Sequence, residues 1–310
     1  MNSPTLNRTA VDIIKKALRL LRVVDAELSL NAVDRETGIE TLNDLVKSWQ
    51  NSGFHLWTLS EALMFLEKGK AKYQFGAGFT NAISDTFNTD TITDDYVPLS
   101  FSLSVADSSI YTVGELILLT LDSGLQFETT VNSLGVGAIT ISVEPNTTLS
   151  SGGTVILDFE YIDRPMSVVQ LRFRDANQSS DIPTDQWSRT EYFNQPDKSS
   201  QGTVTTWYYT PVINRGDLYV WQTPSSNFQT ARFTYVKPTE VTTANADNPD
   251  FPSEWFLTLA YNLASMLAPE YGITMEKYQI IESKAQQLLE DSLGFDNEDS
   301  YIKIEPDFRR

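Results

Sequence analysis

Apolar residues recur at helical spacing near the start of the chain. Val11, Ile14, Leu18 and Leu21 follow Thr9, and Asp12 stands where a carboxylate completes a cap. The pattern predicts a helix over about residues 10–23. A second helical period, Ile39, Leu42, Leu45, Val46 and Trp49, stops at Asn51-Ser52-Gly53, where glycine supplies the left-handed conformation that closes a helix. The N-terminal part therefore reads as a helical hairpin. From Leu56 to Phe75 the period changes to short apolar and aromatic runs around Glu67-Lys68-Gly69-Lys70, which predicts a β-hairpin. Asp85 to Asp95 is Thr, Asn and Asp in near alternation, too polar to bury, and reads as a loop and a boundary.

Beyond it, strand-like runs at Val97–Leu103, Leu116–Leu121, Phe127–Val131, Ala138–Val143 and Val155–Phe159 are separated by Gly, Asp, Asn and Ser. Short strands at this spacing predict a self-contained small barrel or sandwich over residues 96–161. Strands resume at Val168–Phe173, Val204–Tyr209, Leu218–Gln222 and Ala231–Val236, with an irregular segment from Asp181 to Pro196 that holds a short helix around Trp187. The last third is helical again. Pro252 opens a helix with the face Phe256, Leu259, Ala260, Leu263 and Leu267, ended by Pro269 and Gly272, and Thr274 starts another with Tyr278, Ile281, Ala285, Leu288 and Leu289, which stops at Gly294. The expected fold class is α+β: a helical body built from both ends of the chain and an antiparallel sheet, residues 1–95 and 162–294, an inserted β-domain, 96–161, and a polar tail, 295–310.

The 310 residues, 41% apolar and 21% charged, suffice for two domains with a proper core. The absence of cysteine removes disulfides, thiolate zinc sites and cysteine nucleophiles. Met1-Asn2-Ser3-Pro4 leads into no apolar stretch, and no run approaches the roughly 18 apolar residues of a membrane span, so neither secretion nor membrane anchoring is expected. A net charge of −18 opposes affinity for nucleic acid, which comes from cations that displace phosphate counterions. In a channel the same charge works in reverse, since a wall that repels phosphate lets a duplex slide past.

The catalytic raw material is thin. His55 is the only histidine, so a Ser-His-Asp triad would depend on it alone, and its neighbours Phe54 and Leu56 favour a packing role. Thr206-Trp207-Tyr208-Tyr209 is an aromatic run on a predicted strand, where alternate rings belong to core and surface; packing is favoured over a sugar-binding groove. Asp85, Asn88, Asp90, Asp94 and Asp95 lack the spacing of a calcium loop and read as solvated. Gly76-Ala77-Gly78 lacks the third glycine and the βαβ setting of a dinucleotide site and reads as a turn. These residues give no catalytic, cofactor or metal site.

The helix Leu42-Asn43-Asp44-Leu45-Val46-Lys47-Ser48-Trp49 ending before Gly53, Leu56-Trp57, and the distal Pro252-Ser253-Glu254-Trp255, Asn262-Leu263-Ala264 and Leu267-Ala268-Pro269-Glu270-Tyr271-Gly272 carry a resemblance. With these the chain resembles the gp4-like head-to-tail adaptors of short-tailed bacteriophages, the packaged-DNA stabilisation or tail accessory factors. The motifs lie at both ends, and the family's smaller members lack so large a middle. The resemblance implies a virion structural protein, not an enzyme, assembled in the host cytoplasm and sited in the phage neck. It implies a ring of about twelve copies that docks under the portal protein, extends the channel through which genomic DNA passes, and meets the tail nozzle or tail tube. It also points to the C-terminal segment as the portal-docking part: Tyr301, Ile302 and Ile304 form a short strand-like stretch, and Arg309 and Arg310 add terminal charge. The alternative is a carbohydrate-binding or tail-spike-type β-module, with or without glycan hydrolase activity; a portal-like or baseplate structural protein differs only in its neighbours.

Overall fold

The computed structural model describes residues 8–25, 30–51, 58–175, 180–239 and 251–295. It is a mixed α+β protein whose sheets are mainly antiparallel. Its α-helices are α1 (Ala10–Leu20), α2 (Ala32–Asn51), α3 (Arg189–Asn194), α4 (Phe256–Leu267) and α5 (Met275–Phe295). The chain divides into two compact units, Met1–Thr58 with Thr239–Arg310, and Leu59–Pro238.

The first unit is helical. Thr9 caps α1 through its side chain, and Asp12 returns the bond to the Thr9 backbone, so two otherwise orphan N–H groups are satisfied. Ile13, Ile14, Ala17 and Leu18 then face inward, where they share one core with Leu42, Leu45, Val46 and Trp49 of α2 and with Phe256, Leu259, Leu263 and Leu267 of α4. A fully buried aliphatic side chain contributes about 2 kcal/mol, so this shared core outweighs any intrinsic helix propensity. Gly38 lets α2 approach α1: a Cβ there would press into the side chain of Ile14. Ala268 and Gly272, the latter at φ +61, close α4 before α5 begins. Asn262 ties α5 to α4 by donating to the carbonyls of Thr258 (2.9 Å) and Ala285 (3.3 Å).

The second unit holds the strands β1 (Leu59–Phe65), β2 (Lys72–Phe75), β3 (Ala82–Ser84), β4 (Asn88–Thr91), β5 (Ser102–Ser104), β6 (Leu116–Thr120), β7 (Gln126–Gly135), β8 (Ala138–Ile141), β9 (Thr154–Leu157), β10 (Ser167–Arg174), β11 (Ile182–Pro183), β12 (Asp185–Gln186), β13 (Gln201–Gly202), β14 (Thr206–Val212), β15 (Arg215–Trp221), β16 (Thr223–Pro224) and β17 (Thr230–Val236). One sheet has the order β11-β10-β17-β1-β3 and another β12-β14-β15-β2. Their apolar faces contribute to one core, in which Phe75 stacks on Phe233 at 5.2 Å and Trp207 is almost fully enclosed. A third sheet, β4-β9-β6-β7-β8-β5, curls as a half-barrel around Leu103, Ile117, Leu119, Ile139 and Val155. Its two edges approach each other: Ile92 bridges Val105, and the N–H groups of Thr93 and Ala106 donate to the carbonyls of Ser104 (3.1 Å) and Thr91 (3.0 Å). Leu118 and Ile156 on its outside pack on Leu63 and Ile83 of the first sheet.

Three expectations are corrected. The runs flanking Glu67–Lys70 form strands and the turn forms, with Lys70 N–H donating to the Glu67 carbonyl at 3.0 Å, but they do not pair as a hairpin. β1 pairs with β17 and β3, and β2 pairs with β15, because each strand's apolar side chains belong to opposite walls of the same core. The polar stretch Asp85–Asp95 is not all loop, since β4 pairs with β9 and buries Asp90, whose carboxylate accepts from Tyr111 Oη (3.0 Å) and the Asp107 N–H (3.2 Å). The run Val97–Leu103 is strand only from Ser102 onward. Pro98 has no N–H to offer a ladder, and Leu99 takes a left-handed φ of +72.

Candidate functional site

Of the motif residues quoted from both ends of the sequence, Gly53, Leu56 and Trp57 lie outside the described residues, and the apolar ones of α2 and α4 converge in the first unit. Leu42, Leu45, Val46 and Trp49 of α2 share their core with Trp255, Leu263, Ala264, Leu267 and Ala268. Trp49 meets Trp255 edge to face at 5.8 Å and Phe251 at 6.3 Å, so segments some 200 residues apart in sequence interlock through three aromatic rings. Lys47, on the other side of α2, donates to the Thr239 carbonyl at 2.7 Å. Tyr271 donates to Asp34 at 2.7 Å, and burial followed by this bond to a carboxylate pushes the phenol up to about 12. None of these contacts presents a nucleophile or a base to a cleft; the arrangement holds helices together.

His55 lies outside the described residues, as do Tyr301, Ile302, Ile304, Arg309 and Arg310 of the tail. In Thr206–Tyr209 the alternate rings part as the strand pattern requires: Trp207 and Tyr209 enter the core, and Tyr208 faces outward. There it stacks at 5.9 Å on Tyr219, beneath Tyr192 and Phe193 of α3, and Trp187 stacks on Trp221 at 5.5 Å. The rings cover one another, and Lys198 lies over both Tyr192 and Phe193. Sequence reading missed how α3 is seated here, although Ser188 and Glu191 have the spacing of a capping box and do form one.

Of the residues weighed as ion ligands, four are engaged separately. Asp85 pairs with Arg232, Asn88 donates to Asp158, Asp90 is buried, and Asp95 accepts the Ser151 N–H. Among the described residues no group of three or more His, Cys, Asp or Glu side chains is arranged to hold a metal ion. Gly76 and Gly78, at φ +118 and +85, form a turn closed by the Phe79 N–H to the Gly76 carbonyl. A cleft of about 120 Å³ beside Phe65, Asn81, Leu118 and Leu125 is small against the several hundred Å³ of a typical ligand pocket, and the larger hollows, about 490 Å³ along α5 at Ile280 and about 290 Å³ between α4 and α5 at Leu257 and Leu288, are shallow and open to solvent.

Two buried or opposed charge clusters are internally neutralised. Asp217, 4% exposed, would be driven up by burial, but hydrogen bonds from Lys72, Gln74 and Arg215 hold it below the ordinary aspartate value. Arg172 and Arg232 stand directly opposite each other on β10 and β17, a destabilising pairing of like charges answered by Glu61 and Asp85.

The remaining charge is segregated. Between Lys72 and Arg164 there is no Lys, Arg or His, while twelve Asp and Glu fall in that interval, which contains the whole half-barrel. By contrast α1 and its C-terminal turn carry Lys15, Lys16, Arg19 and Arg22, and among the described residues none of the ion pairs involves them. Both facts were legible as gaps and runs in the charge pattern.

No protein-family model and no curated protein matches this chain.

Proposed function

We propose that the protein is a ring-forming head-to-tail adaptor of a tailed phage, a structural connector with no catalytic role that joins the portal protein to the tail nozzle or tail tube. The observation that supports this most directly is the common core of the resemblance motifs: Leu42–Trp49 and Trp255–Ala268 lie far apart in sequence and share one hydrophobic cluster. In this reading helices from both ends form the adaptor body together with the β-sheets, and residues 96–161 are the core of an inserted β-domain, a reading supported by the half-barrel whose edges meet at the Ile92–Val105 bridge. Copies related by rotation close a ring of about twelve, since a heterologous contact repeated around an axis ends on itself. Excess acidic charge keeps DNA from adhering to the channel. The tail with Tyr301, Ile302, Ile304, Arg309 and Arg310 docks to the portal, each copy weakly and the ring as a whole firmly.

Negative-stain electron microscopy of the purified protein, with and without portal rings, tests this reading. A closed ring or a collar on the portal is the expected result; monomers that leave portals bare count against it. The carbohydrate-binding alternative draws on the Trp187–Trp221 stack and the rings around Phe193. Turnover or retention of a soluble capsular polysaccharide would favour it, and an adaptor shows neither.

A further inference from the structure

Among the described residues, two surfaces lack the partners their chemistry calls for. The first is the outward face of α1, where Lys16, Arg19 and Arg22 are exposed and Lys15 half-buried. The one acid on that helix, Asp12, is committed to the Thr9 cap. Elsewhere among the described residues Lys70, Lys72, Arg172, Arg174, Arg215 and Arg232 each hold a carboxylate, while scattered cations such as Arg35, Lys68 and Lys277 appear in none of these ion pairs; α1 differs in gathering its cations on one helix.

The second is the loop Val97–Phe101 at the edge of the half-barrel. Val97 is 67% exposed, Leu99 77% and Phe101 52%, three large apolar side chains presented together. The loop is built: Tyr96 Oη donates to the Ser100 carbonyl, the Ser100 N–H to the Val97 carbonyl at 3.3 Å, and the Ile141 N–H to the Phe101 carbonyl at 2.8 Å. Leu99 sits at φ +72, where glycine is favoured, and its side chain gains no burial within the chain. The module around it carries carboxylates and no cation.

We propose that in the ring the half-barrel of one copy docks, through the Val97–Phe101 loop and its acidic surroundings, on the basic face of α1 of a second copy. This rests on the adaptor reading for the existence of a ring. The occupant follows from charge complementarity: the module has acids alone, and α1 supplies cations that no described carboxylate answers. The apolar loop fits such a face because the methylene stems of Lys and Arg, with the exposed Val23 beside them, offer apolar area under their charged ends. Opposite charge steers the encounter and sets its register, and the loop supplies the desolvated contact.

The test compares full-length wild type with Leu99→Gly and with Lys16→Glu/Arg19→Glu by sedimentation velocity, at low and high salt, alone and with portal rings. Leu99→Gly removes the apolar contact and relieves the left-handed backbone, so it folds at least as well as wild type; the α1 positions are exposed and in no ion pair among the described residues, and circular dichroism checks that helix content is kept. Wild type should assemble, more weakly as salt rises, and each variant should lose about tenfold or more in association. Adding Asp94→Lys to the α1 double variant should recover part of the loss. If wild type assembles and either variant assembles equally well, this interface is wrong while the ring stands. If wild type stays monomeric in every condition, both the interface and the ring reading fall.

Discussion

Tyr271 donates a 2.7 Å hydrogen bond to Asp34, joining the turn between α4 and α5 to the first turn of α2 across 237 positions of sequence. The phenol is held neutral in the folded chain, with its pKa up at about 12 against an ordinary 10.0, through burial first and the carboxylate second. A raised pKa gives stability that is complete below the unfolded value and lost as pH climbs through the folded one. Stability should therefore decline between pH 10 and 12, and Tyr271→Phe should flatten part of that decline. At neutral pH the same variant should lose about 1–2 kcal/mol in urea unfolding, with helix content unchanged.

Asp217 receives Lys72 at 2.8 Å, Arg215 at 2.9 Å and Gln74 at 3.1 Å while nearly enclosed. Its pKa is depressed, so its contribution is present above the ordinary aspartate value and is lost as pH falls through the lower folded value. Asp217→Ala should cost about 2 kcal/mol, the two cations being partly solvated, which moderates the loss. Acid titration by fluorescence should show the variant missing the last part of the wild-type acid transition.

Gly216 faces the ring of Tyr209 across the β14–β15 ladder. A Cβ there would fall 2.7 Å from Cε2 and closer still to the hydroxyl, which cannot retreat without breaking its 2.5 Å bond to the Pro165 carbonyl. Gly216→Ala should destabilise by about 2–3 kcal/mol, and Gly216→Ala/Tyr209→Phe should recover much of it. Equal loss in both would show that the ring carbons, which phenylalanine keeps, and not the tethered hydroxyl set the clash.

Asp90 and Tyr111 form a buried pair beneath β4. Asp90→Ala strands the phenol hydroxyl and should cost about 2–3 kcal/mol, whereas Tyr111→Phe leaves the carboxylate its backbone donors and should cost about 1 kcal/mol. The double variant should be less than additive; strict additivity would show that the two side chains do not interact.

Truncation after Gly294 removes the tail with Tyr301, Ile302, Ile304, Arg309 and Arg310. The shortened protein should keep its helix content and fail to co-sediment with portal rings. Binding at the full-length level would count against the proposed docking role of the tail.

What the sequence determined by itself were the elements whose signal is local. The Thr9–Asp12 cap, the apolar face of α4, the turns at Gly69 and Gly76–Gly78, and the inward and outward alternation of Trp207 and Tyr208 depend on spacing within a few residues, and spacing is what a sequence displays. The charge segregation between α1 and the cation-free interval to Arg164 was equally present in it. Strand partnership was not. β1 and β2 adjoin a good turn, yet belong to different sheets, because a strand pairs where its apolar face is buried, and that is decided by residues as distant as Phe233 and Leu218. For the same reason the polar run Asn88–Thr91 became a strand: Val155 and Ile156 offered it a ladder, and Tyr111 made one buried carboxylate tolerable. Only the tertiary structure could leave Leu99 outside, since an apolar residue is exposed or buried according to what the rest of the chain brings against it.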